Sequence, residues 1–97
     1  MYELHFHPKV DKELSKFPTE IRKLIRYNYL PDIANDPHKS GKPLKGTLKG
    51  FWSKDFIYEG ISYRIAYEID DKENVVYVLM IGKRESFYER LKRRANI

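Results

Sequence analysis

The chain has no cysteine, which removes disulfides, thiolate nucleophiles and cysteine-based zinc sites together. No apolar run comes near the roughly 20 residues that a membrane-spanning helix needs. The opening residues, Met1-Tyr2-Glu3-Leu4-His5-Phe6-His7, lack the basic stretch followed by an apolar one that marks a secretory signal. These absences lead us to expect a soluble cytoplasmic protein with no membrane partner. Chemical motifs are missing as well. There is no G-x-S-x-G elbow, no phosphate-cradling G-x-x-x-x-G-K, and no carboxylate pair at a spacing that suggests acid–base work. Asp70-Asp71 reads as turn chemistry. His5 and His7 share a strand face but have no third ligand beside them, and His38 stands alone in a loop, so we expect neither metal nor cofactor.

What remains is a short, aromatic, basic chain. Its 97 residues are enough for one domain spanning 1–97 and too few for two. The hydrophobic fraction is 41% and the aromatic fraction 14%, a folded rather than a disordered composition. Without disulfides, stability has to come from a packed core or from a partner. The net charge is +5, and it is unevenly spread. Residues 1–37 are neutral overall, 38–54 carry five lysines and no acid, 55–80 are net −4, and 81–97 are net +4. Two separate segments therefore hold the excess positive charge. If folding brings them together, they form a surface suited to phosphates or to an acidic protein; if not, they are two solvated stretches.

Periodicity gives the elements. Tyr2, Leu4 and Phe6 alternate with polar residues, as in a half-buried strand. Val10, Leu14 and Phe17 recur at helical spacing. After Phe17-Pro18, Thr19 is the expected N-cap of a second helix bearing Ile21, Leu24, Ile25, Tyr29 and Ile33, which Pro31 should kink or shorten. Residues 38–50 read as a lysine- and glycine-rich loop anchored by Leu44 and Leu48. Phe51 to Tyr58 looks extended, and Glu59-Gly60 is a tight turn. Ile61, Tyr63, Ile65, Tyr67 and Ile69 then line one face of a strand, with Ser62, Arg64, Ala66 and Glu68 on the other. Val75 to Ile81 is apolar on both faces, as a covered central strand would be. Ser86-x-x-Glu89 suggests a capping box for a basic helix with Phe87 and Leu91 facing inward. The expected class is α+β: an N-terminal strand, a two-helix hairpin over one sheet face, a three-stranded antiparallel meander completing a four-stranded sheet, and a short C-terminal helix.

Two places could carry chemistry. Arg64 lies opposite the apolar stripe among small or polar neighbours, which suits the floor of an open groove, or it simply pairs with a carboxylate such as Glu68. Gly82-Lys83-Arg84 with Tyr88 puts a phenol near two cations. Cleavage of RNA by its own 2′-hydroxyl needs a base, stabilisation of a dianionic phosphorane, and a proton for the leaving oxygen. Arg and Lys can supply the second by charge-assisted hydrogen bonds, and Tyr the first, or a stacking surface. The plainer reading is a core Tyr88 with surface cations around it.

Leu44-Lys45-Gly46-Thr47-Leu48-Lys49-Gly50, Gly60-Ile61-Ser62-Tyr63-Arg64-Ile65-Ala66-Tyr67 and Val78-Leu79-Met80-Ile81-Gly82-Lys83-Arg84-Glu85-Ser86-Phe87-Tyr88, in that order and spacing, resemble the RelE/ParE superfamily of toxins. The resemblance implies a four-stranded antiparallel sheet with a helical hairpin on one face and a basic surface on the other. It implies an acidic antitoxin partner and one of two activities. One is ribosome-dependent mRNA cleavage in the A site, as in RelE-like members, and the other is inhibition of DNA gyrase, as in ParE-like ones. By position it assigns Arg64, Arg84 and Tyr88 to catalysis, with Lys45, Lys49, Lys54 and Lys83 holding RNA. RelE-like sites carry two lysines on the strand before Tyr63-Arg64. Here that strand has one, Lys54, with Lys49 ahead of it, and no histidine replaces Lys83, so the general base is open. Both arginines and two basic segments favour the RNA-cleaving branch.

Overall fold

A computed structural model describes residues 1–97. The elements are β1 (Glu3–Phe6), α1 (Val10–Ser15), α2 (Thr19–Leu24), α3 (Leu30–Asn35), α4 (Pro37–Ser40), β2 (Lys42–Pro43), β3 (Phe51–Tyr58), β4 (Ile61–Asp70), β5 (Val75–Lys83) and α5 (Phe87–Ala95). The sheet runs β1-β5-β4-β3-β2. As expected, β3, β4 and β5 form an antiparallel meander. Two details differ from expectation. β1 lies parallel to β5, because the chain crosses over through the helical layer before returning to the sheet. The two residues of β2 also add a fifth strand beside β3.

The helical hairpin packs on one sheet face. Val10 and Leu14 of α1, with Ile21, Ile25, Leu30 and Ile33 along the second helix, meet Phe56, Tyr63, Ile65, Tyr67, Val76, Val78 and Ile81 of the sheet in the main core. The apolar stripe of β4 is thus buried where it lies under the helices, while Ile61 at the turn stays 41% exposed. Phe6 likewise escapes at the end of β1 and is exposed. Thr19 is the first helical residue and not the cap, which is Pro18. Pro31 neither ends nor sharply breaks its helix. A π-turn over Ile25–Tyr29 joins α2 to α3, with the Leu30 N–H reaching back to the Ile25 carbonyl. Widening the turn just before a proline relieves the clash of its ring with the carbonyl four residues back.

The lysine-rich segment is more ordered than a loop. Asp36 leaves α3 and its carboxylate accepts the Lys39 N–H, so the chain turns straight into α4. The buried Tyr67 hydroxyl donates to the Pro37 carbonyl at 2.7 Å and fastens this segment to the sheet. Gly41 passes so close that a β-carbon there would collide with the Tyr67 hydroxyl and stand 2.8 Å from the Ser53 carbonyl oxygen. Leu48, in a 3₁₀ turn at Gly46–Leu48, drops into a second core on the other sheet face with Ala66, Met80, Phe87 and Leu91. Phe87 and Leu91 face inward as expected. The capping box does not form: Ser86 sits in the left-handed region at φ 54° with no side-chain cap, and its carbonyl accepts from Arg90 instead.

One irregularity sets the register of everything near the C-terminus. Asp70 to Tyr67 pair with Val75 to Val78, but Ala66 pairs with Met80, so Leu79 is an extra residue in β5. This bulge puts Val78 and Ile81 on the same, helix-covered face and Met80 on the other.

Past the end of β1, β5 has a bare edge. The Leu79 carbonyl accepts from Arg94 at 2.9 Å, the Ile81 N–H donates to Glu13 at 3.1 Å, and the Lys83 carbonyl accepts from Arg90 at 3.1 Å. Arg94 and Glu13 also form an ion pair at 2.7 Å. Three side chains thereby occupy the positions of a missing strand, which satisfies the edge and blocks it from pairing with another chain.

Candidate functional site

The sheet face away from the hairpin is only partly covered by α5, and its open end carries the cations. The two-residue turn Glu59-Gly60, both residues at positive φ (50° and 79°), fixes β3 against β4 so that Asp55 lies opposite Arg64. On the other side Arg64 lies opposite Gly82. The Arg84 N–H donates to the Ser62 carbonyl at 3.0 Å, which continues that register one step past β5. Cross-strand partners share a face, so Arg64, Asp55 and Arg84 belong to one surface. They line a cavity of about 390 Å³ together with Ser62.

Arg64 is held on two sides. Its Nε stands 3.6 Å from Asp55 Oδ1, and its guanidinium carbon lies 4.5 Å from the centre of the Tyr88 ring. Its carboxylate partner is therefore Asp55 and not Glu68. Only 19% of the Arg64 side chain is exposed, which limits its motion, while Arg84 is exposed. Tyr88 is half-buried, and its ring meets Phe87 edge-to-face at 6.0 Å. Arg64, Arg84 and Tyr88, singled out from the sequence, are thus brought to one place.

The lysines divide. Lys45 lines a second groove, of about 330 Å³, with Tyr88 and Lys92. The two basic segments of the sequence do meet, at Tyr88, and the positive surface runs from Arg84 and Arg64 past Tyr88 to Lys45 and Lys92. Lys49 is exposed just after the 3₁₀ turn and lines neither cavity. Lys54 and Lys83 do not join the site. Lys54 lies opposite Ile65, on the helix-covered face, where its Nζ donates to the Ser40 carbonyl at 3.1 Å and sits 5.5 Å from the Tyr29 ring centre. Lys83 lies opposite Tyr63, also on that face, and lines a hollow with Glu13, Lys16 and Arg90. The bulge at Leu79 is the physical reason: in an unbroken register Lys83 would stand opposite Ser62, and the extra residue gives that place to Arg84.

Asp55 was not foreseen. The signal was present, because a two-residue turn at Glu59-Gly60 forces residues 55 and 64 into register. At the far end of the same face Glu68 lies between Phe51 and Tyr77, and burial pushes its carboxyl above the usual carboxylate range. The His5 ring bonds to Glu3 and meets Tyr77 of β5 edge-to-face at 5.5 Å, and His7 accepts the Lys9 N–H.

A small sheet with one face under a helical hairpin and a cationic, arginine-bearing patch on the other defines a known class. The family model for ParE-like toxins of type II bacterial toxin–antitoxin systems matches residues 4–92, and the chain belongs to that family. Within it, the chain is a RelE- and RelG-like toxin. Toxin RelG of Mycobacterium tuberculosis is 29% identical over 89 residues, 92% of this chain and 98% of RelG. Toxin RelE of the same organism is 30% identical over 77 residues, 79% of this chain and 75% of that protein. The fold agrees with the solved RelBE2 toxin–antitoxin complex of M. tuberculosis at a TM-score of 0.73 and 30% identity, over 86% of this chain and 98% of that one. The intact RelBE complex of Escherichia coli gives 0.73 at 26% identity, over 88% and 99%.

Proposed function

We propose that this toxin is a ribosome-dependent endoribonuclease that cuts mRNA in the A site. Attack of a 2′-hydroxyl on the adjacent phosphate would leave a 2′,3′-cyclic phosphate and a 5′-hydroxyl, without need of a metal. The observation that carries the reading is the pair Arg64 and Arg84 on one cavity wall, with Tyr88 against the Arg64 guanidinium. Two guanidiniums at one phosphate stabilise the charge that grows on its oxygens, the demand of this transition state. Tyr88 seats Arg64 and offers a ring edge to a base, while Lys45 and Lys92 extend the positive track for the RNA backbone, with the exposed Lys49 beside it in sequence. Lys54 and Lys83 remain outside that track unless the ribosome also contacts the opposite face.

The partner that silences it is a cognate acidic antitoxin, consistent with relatives solved as toxin–antitoxin complexes. Charge complementarity would steer such a segment onto the basic face. Inhibition of DNA gyrase without cleavage is the second reading, favoured by the ParE-like description of the matching family. Expression of the chain alone in cells, with primer extension on an abundant mRNA and a parallel gyrase supercoiling assay, separates the two. New mRNA ends with supercoiling intact support the nuclease. Lost supercoiling with intact mRNA reverses the order.

A further inference from the structure

The cavity that holds the two arginines also holds a carboxylate, and the proposed chemistry leaves one task without an owner. From the geometry we infer that Asp55 is the general base that takes the proton from the attacking 2′-hydroxyl. The inference rests on the nuclease reading above and supplies the residue that it lacks.

Asp55 projects from β3 opposite Arg64 on the open face, and it shares the cavity wall with Ser62 and Arg84. Its Oδ1 accepts from the hydroxyl of Ser53, itself 97% buried, and faces the Arg64 Nε at 3.6 Å. One oxygen is thus fixed by a rigid buried donor and a guanidinium. The other takes no hydrogen bond from the protein, and the side chain is 52% exposed, open to a ligand in the cavity. The groups facing it are Ser53 on its own strand, Arg64 on β4, with Tyr88 of α5 behind that guanidinium, and Arg84 after β5. No other carboxylate and no histidine lines this cavity.

The arrangement divides the labour by charge. A phosphate drawn to Arg64 and Arg84 stands beside the Asp55 carboxylate, because Arg64 touches both. Its ribose 2′-hydroxyl then lies on the carboxylate side, since the O2′ and the phosphate belong to adjacent atoms of one nucleotide. As the O2′–P bond forms, the 2′-hydroxyl proton passes to the free Asp55 oxygen. The P–O5′ bond breaks with its electron pair on O5′, which takes a proton from water at the cavity mouth. Asp55 returns its proton to solvent. The two arginines carry the added charge of the phosphorane and release it on collapse. A base role also explains why a negative group stands beside two arginines where an anionic substrate has to bind.

The test is single-turnover cleavage of ribosome-bound mRNA by purified toxin as a function of pH, comparing wild type with Asp55→Asn and Asp55→Glu. Asparagine keeps an Oδ1 to accept from Ser53 and nearly the same shape, while it removes the base together with the charge that faces Arg64; Asp55→Glu keeps that charge. Asp55→Asn should lose about 10²–10⁴ in the cleavage rate at saturation. It should keep ribosome binding and lack the fall in rate on acidification that an Asp55 base would impose on wild type. Asp55→Glu should recover part of the rate and that acid limb. If Asp55→Asn cuts within a few-fold of wild type, or keeps the acid limb, Asp55 only orients Arg64 and the inference fails while the nuclease reading stands. If wild type itself leaves mRNA intact, both fail. A cavity-facing, half-exposed residue is a poor candidate for unfolding, and a melting curve on each variant makes the comparison quantitative.

Discussion

Replacing Arg94 with Ala should destabilise the toxin by about 2–3 kcal/mol, although Arg94 touches no part of the proposed site. The number comes from its contacts. Its guanidinium donates to the Leu79 carbonyl at 2.9 Å and pairs with Glu13 at 2.7 Å, and the two side chains are only 13% and 19% exposed. Removing one partner of a buried pair typically costs about 3–5 kcal/mol, because the other charge is left unpaired. Residual water access at Glu13, and the Ile81 N–H that still donates to it, bring this to the bottom of that range or just below it, about 2–3 kcal/mol. For a chain of this size the loss corresponds to roughly 10–20 °C in Tm. Urea denaturation followed by circular dichroism measures it. Glu13→Gln on the Arg94→Ala background should recover part of the loss, since it deletes the stranded charge, and the double-mutant cycle gives the coupling. A stability for Arg94→Ala within about 0.5 kcal/mol of wild type would refute the edge-sealing role of Arg94 and leave α5 held by Phe87, Leu91 and Arg90.

Arg84→Ala should lower mRNA cleavage by about 10²–10³ while its stability stays within about 0.5 kcal/mol of wild type, because the side chain is exposed. Arg64→Ala should lose as much activity with a larger stability change, and full activity in either variant would remove that residue from the site. Tyr88→Phe should keep most activity and Tyr88→Ala lose roughly 2–30-fold, the equivalent of the 0.5–2 kcal/mol of a cation–π seat for Arg64. A Phe variant as poor as the Ala variant would instead assign the hydroxyl a chemical role. Glu68→Gln should raise Tm at neutral pH. Burial raises the Glu68 carboxyl, so its ionised form weakens the fold above its folded-state pKa, and that cost vanishes once acid protonates it. A gain that persists unchanged in acid would contradict this.

Local pattern and chain chemistry settled much of this protein before any contact was known. Period-2 alternation placed β4, helical spacing placed α1 and the inward face of α5, and the turn at Glu59-Gly60 closed the β3–β4 hairpin, because these signals depend only on neighbours in sequence. The motif order named Arg64, Arg84 and Tyr88, and tertiary structure does gather them. Other features were invisible because they need partners far along the chain. The parallel seat of β1 against β5 depends on where the helical crossover returns. The ordering of residues 37–48 depends on a hydroxyl from Tyr67, and the seal of the β5 edge on Glu13 meeting Arg94. The face assigned to each C-terminal cation was decided by a single extra residue. Sequence alternation carries no mark of the bulge at Leu79, yet one inserted residue reverses every later side chain in a strand. That reversal sends Lys83 to the helical side and brings Arg84 beside Arg64, with Asp55 facing them across the cavity.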